Sequence, residues 1–209
     1  MKKQIILLTA GLAAFGLLFS TSVKAQGFDK GTNVINLGVG FGGEYTYFGA
    51  GYSATPAISV SYEQGIWPNI GPGTISLGGL FAYKGISYSN NFQDWDGNGI
   101  WQNYTEKDSW TYYIIGLRAA YHLKTKNDKF DPYAGLMIGY YHTSYSYTNT
   151  DPNYGHPGYY GYNTTAQSYS SYVTPSFFIG ARYMFSNFGI FGELGYGYSN
   201  LTLGLSYKW

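Results

Sequence analysis

Six ionisable residues, Glu63, Lys84, Arg118, Arg182, Glu193 and Lys208, alternate with apolar neighbours along the chain. In strands, that spacing sends all six to the face opposite the apolar one. Two acids facing four bases on a protected face predict a buried network of ion pairs, with Arg182 and Glu193, on neighbouring stretches across a short turn, as its leading pair. Such a network is expected to fix strand register and to block a lumen; a gated ion path is the alternative. Asp94, Asp96 and Asn98 place oxygen ligands at the first, third and fifth positions of a loop whose sixth is Gly99, the opening of a calcium loop. Thr105 occupies the twelfth position and Glu106 comes one residue late, and Asp-Gly and Asn-Gly also form plain turns. His142 and Ser144 alternate on one strand face, as a base and a nucleophile would. No acid stands at a matching height on the following stretch to orient the histidine. Gly38 to Gly43 carries the spacing of a dinucleotide fingerprint, but neither a helix nor a βαβ unit surrounds it, so it reads as a Gly-rich strand.

The remaining binding chemistry is phenolic. Tyr145, Tyr147 and Tyr169 flank a segment that contains Tyr154, Tyr159, Tyr160 and Tyr162. Tyrosine offers a large contact area at small entropic cost, which suits a binding surface. Where the flanking stretches run on beyond the ~10 residues that cross a membrane, the open edges of the hairpin offer strand addition to a partner.

Hydrophobic periodicity describes what must hold these groups. Leu201, Leu203, Leu205, Tyr207 and Trp209 share one face of their stretch; Asn200, Thr202, Gly204, Ser206 and Lys208 share the other. A period of two is the mark of a strand. Eight such stretches are predicted: Asn33 to Phe41, Thr55 to Glu63, Thr74 to Tyr88, Trp110 to Leu123, Tyr133 to Tyr147, Ser168 to Phe185, Phe188 to Tyr196 and Asn200 to Trp209. Pro175 has no ladder donor and predicts a bulge or an unpaired stretch within the sixth. Gln64 to Gly73, Lys124 to Phe130 and Ser186 to Asn187 read as turns at one end. Gly42 to Ala54, Ser89 to Ser109, Thr148 to Gln167 and Gly197 to Ser199 read as loops at the other.

Composition agrees with that pattern. Of 209 residues, 25 are Tyr, 30 are Gly and none is Cys, which is not the profile of an ordinary enzyme core. The chain opens Met-Lys-Lys, runs apolar from Ile5 to Phe19 and reaches Val23-Lys24-Ala25, the marks of a secretory signal peptide cut after Ala25. The expected division is therefore a signal peptide over 1–25 and one barrel domain over 26–209. Without Lys2, Lys3 and Lys24, nine Lys and Arg face 11 Asp and Glu, a net charge of −2 that gives no reason for a nucleic-acid partner. Beyond the signal, no apolar run is long enough for a membrane helix, so any crossing is by strands.

Behind an export signal, such alternation describes a closed barrel in lipid, with apolar side chains outward, polar ones inward and aromatics at headgroup level. The signal, the eight stretches, Tyr133-Ala134-Gly135-Leu136-Met137-Ile138-Gly139-Tyr140 and the ending Gly204-Leu205-Ser206-Tyr207-Lys208-Trp209 resemble small outer-membrane barrels of the OmpX and OmpA-transmembrane type, as found in Bacteroidetes-like bacteria. The resemblance implies an all-β fold, a single eight-stranded antiparallel up-and-down transmembrane β-barrel in the bacterial outer membrane. It also implies that Tyr207 and Trp209 form the signal read by the barrel-assembly machinery, although Phe is the commoner terminal residue. His142-Thr143-Ser144 resembles the His-x-Ser of outer-membrane lipid A deacylases. The expected function is non-enzymatic: envelope integrity, and presentation of the Tyr-rich loops for adhesion or ligand binding. Outer-membrane lipid, lipopolysaccharide and an extracellular protein or glycan are the expected partners, with calcium the sole cofactor to consider. A narrow channel or transporter for small or hydrophobic solutes and a lipid-modifying enzyme are the alternatives.

Overall fold

The computed structural model describes residues 27–44, 50–95, 100–151 and 165–209. The expected signal peptide lies outside them, as do Asp96, Asn98, Tyr154, Tyr159, Tyr160 and Tyr162. Among the described residues the fold consists of nine strands and no helix: β1 (Asn33–Phe41), β2 (Tyr52–Ala54), β3 (Ala57–Ile70), β4 (Gly73–Trp95), β5 (Trp101–Leu123), β6 (Phe130–Asn149), β7 (Thr165–Met184), β8 (Phe188–Tyr196) and β9 (Leu201–Lys208). All pairings are antiparallel. They run β1–β3–β4–β5–β6–β7–β8–β9 and return from β9 to β1, while β2 pairs with β4 alone. Across the β1–β9 seam, the Asn33 and Trp209 amides donate to each other's carbonyls at 3.0 Å.

Side-chain alternation sorts the two faces of this ring. Leu117 is 76% exposed and Leu136 67%, and Leu37, Ile58, Phe81, Ile179, Ile190 and Leu205 share their outward face. Inward lie Glu63, Arg118, Arg182 and Glu193, each almost wholly buried. A water-soluble core has the opposite arrangement. Small residues make the interior possible. Phe191 points inward over Gly38 and Gly204, where an added Cβ would come within 3.1 Å and 2.6 Å of its ring. The half of the interior nearer the long hairpins is filled by an apolar cluster that includes Leu80, Ile114, Met137, Tyr141 and Phe178.

Several connections differ from the sequence expectation. β3 runs on to Ile70 through the segment read as a turn, with register shifts between Gly65 and Trp67 and again before Ile70. Those irregularities break the period of two, so Gln64 to Ile70 carries no alternation. The turn itself is tight, with Asn69 at φ 58° and Gly71 at φ 57°. Within the segment read as the second loop, Ser89 to Trp95 and Trp101 to Ser109 are strand: β4 and β5 stay paired out to Trp95 opposite Trp101. β2 lies within the segment read as the first loop. Pro175 stands opposite Ile138 in unbroken register, so no bulge forms there. Its β8 side matches the other expectation, because β7 meets β8 only from Phe177 onward.

Candidate functional site

The inward charges gather in the half of the interior nearer the termini. Arg118, from β5, donates to Glu193, from β8, through Nη2 at 2.6 Å and Nη1 at 3.3 Å; the Tyr133 hydroxyl donates to the same carboxylate at 3.0 Å. Arg182, from β7, donates through Nη1 to Asp131 at 2.9 Å, through Nε to Ser206 at 3.2 Å and through Nη2 to Glu63. Its relative exposure is 1%. The expected Arg182–Glu193 pair does not form. Glu193 stands opposite Gly180 and Arg182 opposite Phe191, so the short β7–β8 turn offsets the two by one inward step. Each guanidinium also lies over a ring, Arg118 at 4.0 Å from Phe178 and Arg182 at 5.2 Å from Tyr133.

Two members of the network were not among the six charges expected. His122 Nδ1 lies 2.8 Å from Asp131 Oδ1 and Nε2 lies 3.5 Å from Glu63 Oε2. Asp131 could have been found by carrying the inward parity of Tyr133 and Gly135 back by one step. His122 shares the inward parity of Arg118 but is neutral in an ordinary charge count. Lys84 lies toward the hairpin end, where Nζ donates to the Gly42 carbonyl at 2.8 Å, and Lys208 is buried near the termini. Between network and apolar cluster, Arg118 Nε and Ser176 Oγ have no protein hydrogen-bond partner and line a cavity of about 20 Å³. That is room for one water and for no solute.

The segment before β1 closes the end nearer the termini. Phe28 is buried and its ring stacks on His122, centroids 3.6 Å apart and planes within 7°. Gly31 N donates to Gly65 O and Gly65 N to Thr32 O, both at 2.9 Å, which ties this strap to β3. Asp29 pairs with Lys124 at 3.3 Å. The Lys30 amide, donating at 2.8 Å, is the main cause that holds the Asp29 carboxyl below its ordinary range.

At the opposite end, β4 to β7 extend well past β1, β8 and β9 as a sheet. The expected tyrosine set divides between its two faces. Tyr145 and Tyr147 lie on the face continuous with the interior, where their hydroxyls donate to Asp108 at 2.5 Å and Glu106 at 3.0 Å. Tyr169 lies on the other face, its ring parallel to His142 at 6.0 Å. His142 Nδ1 is 3.0 Å from Ser171 Oγ on β7, so its hydroxyl partner there is Ser171 and not Ser144. Asp94 lies in β4 opposite Gln102, and its carboxylate accepts the Trp95 amide at 2.7 Å. Among the described residues no group of three or more His, Cys, Asp or Glu could hold a metal ion. Tyr207 and Trp209 stack outside the ring near the termini, 5.8 Å apart.

No family model matches the sequence, and no curated protein matches it. Among solved structures, Ail, the attachment invasion locus protein of Yersinia pestis, in complex with the heparin analogue sucrose octasulfate, aligns with 86% of this chain and 99% of its own. The TM-score is 0.46 and the identity 13%. A likeness this distant transfers neither ligand nor partner.

Proposed function

We propose that the chain is an eight-stranded up-and-down barrel of the bacterial outer membrane, exported behind residues 1–25. On this reading its lumen is closed to solutes, it contributes to envelope integrity, and it carries the β4–β7 sheet outside the cell for adhesion or ligand binding. The observation that carries the reading is the outer wall. Phe41, Tyr83, Tyr113, Tyr140 and Tyr196 ring one edge of an aliphatic band, and Tyr62, Tyr121, Phe130, Tyr183 and Tyr207 ring the other. From Tyr113 to Tyr121 the strand covers about 26 Å at roughly 3.3 Å per residue. Tilted as barrel strands are, that approaches the ~25 Å band between aromatic girdles. Lipopolysaccharide and outer-membrane lipid would meet this wall, and Tyr207 with Trp209 would engage the assembly machinery.

Heating tests the fold: unboiled mature protein in detergent is expected to migrate differently from boiled protein, and identical mobility overturns the barrel. Planar-bilayer recording tests the lumen. The buried ion pairs and apolar cluster support closure, so no stable open level is expected, and a reproducible unitary conductance overturns it.

A further inference from the structure

Beyond Tyr83 and Tyr113 the outward face of the β4–β5 hairpin loses its aliphatic character. Toward the tip its rungs are Ser87 with Ser109, Ser89 with Lys107, Asn91 with Thr105, Gln93 with Asn103, and Trp95 with Trp101. Trp95 is 47% exposed and Trp101 57%, their ring centroids 4.7 Å apart and their planes tilted by 41°. In the rung beneath, Gln93 Nε2 donates to Asn103 Oδ1 at 3.0 Å; below that, Thr105 Oγ1 donates to Asn91 Oδ1 at 2.8 Å.

A cross-strand indole pair steadies a hairpin by no more than about 1 kcal/mol. The rung beneath it adds something that steadying does not need. That bond leaves the Gln93 carbonyl and the Asn103 amino group unused, one acceptor and two donors on exposed side chains. Successive rungs lie about 7 Å apart along the strand, a spacing comparable to the length of a hexose. Indole faces attract the electropositive C–H face of a pyranose, and amides satisfy hydroxyls that both donate and accept. Among the described residues no charged side chain enters this face of the hairpin until Lys107, two rungs below the amides, so the groups beside the indoles are neutral.

We infer that Trp95, Trp101, Gln93 and Asn103 form a binding site for a neutral oligosaccharide, with a pyranose stacked on the indoles and its hydroxyls held by the amides. The inference rests on the proposed exposure of this sheet outside the cell, and it names a ligand class for a patch on the face opposite Tyr145 and Tyr147, several rungs from Tyr169, which lies in register with Ser144 and Thr111 on the same face. It is tested by calorimetric titration of the mature protein in detergent with cellohexaose, chitohexaose and maltohexaose, a heparin hexasaccharide serving as the charged comparison. At least one neutral hexasaccharide is expected to bind more tightly than heparin. Gln93→Ala with Asn103→Ala is expected to weaken it at least tenfold while heat-dependent mobility stays unchanged. Trp101→Ala is expected to do the same, and Tyr169→Ala to leave binding intact. The amide pair decides, because losing an indole also loosens the tip. Absence of heat with all three sugars at millimolar concentration overturns the site. So does insertion of the tip into phosphatidylcholine vesicles without sugar binding. Binding that is lost in Tyr169→Ala and kept in the amide variant also overturns it, while leaving the proposed function standing.

Discussion

Arg118 and Glu193 are each other's main compensation for burial, and that sets what replacing either should do. Arg118→Met leaves a buried carboxylate held by Tyr133 alone, so a loss of about 3–5 kcal/mol is expected in denaturant unfolding from micelles. Arg118→Met with Glu193→Leu is expected to recover most of that loss; a double variant no better than the single would count against the pairing. Asp29 makes a smaller, pH-dependent contribution. Its folded pKa lies below the unfolded one, so the stabilisation is complete above the ordinary carboxylate range and fades as pH falls through the depressed value. The Lys30 amide proton, which bonds that carboxylate, should report the titration by NMR. A midpoint at or above the ordinary Asp value would contradict the hydrogen bond. Alternation placed the six charges inward, but parity says nothing about which rung meets which across a turn. Partner choice was therefore illegible, and Arg182 meets Glu63 and Asp131, far from it in sequence.

Strands with one greasy face were easy to read and strands with two wet faces were not. β1 and β8 match their predicted limits, because Ile35, Leu37, Val39 and Phe41 mark every second position of the one, and Phe188, Ile190, Leu194 and Tyr196 all but the Gly192 position of the other. Ser89 to Trp95 and Trp101 to Ser109 pair just as regularly, yet water reaches both of their faces, so no apolar periodicity betrays them. The same burial argument hid Trp95 and Gln93 as a surface feature. It also separates the hairpin from the ring. Replacing Asn90 to Glu106 by a two-residue Asn-Gly turn leaves β4 and β5 paired from Gly73 to Ser89. The shortened protein is expected to keep its heat-dependent mobility and its unfolding midpoint. Loss of the folded band would mean that the outer hairpin helps to hold the ring.

For the molecule as a whole, the governing fact is the sidedness of its wall. Arg in place of Leu117, in the middle of the aliphatic band, is expected to cost about 2–4 kcal/mol when the protein is folded into bilayers. The same substitution at Lys107, on the hairpin face beyond the band, should cost almost nothing; equal effects at the two positions would remove the lipid from the account. The seam has a kinetic consequence as well. Seven of the eight pairings in the ring join near neighbours in the chain, but β1 meets β9 across some 170 residues. The entropy of closing so long a span grows only logarithmically, but it falls due before that seam returns any hydrogen bonds. Zipping should therefore run hairpin by hairpin, with the first and last strands left as a gap until late, and a chain caught at that stage would be prone to join another through its unmatched edges.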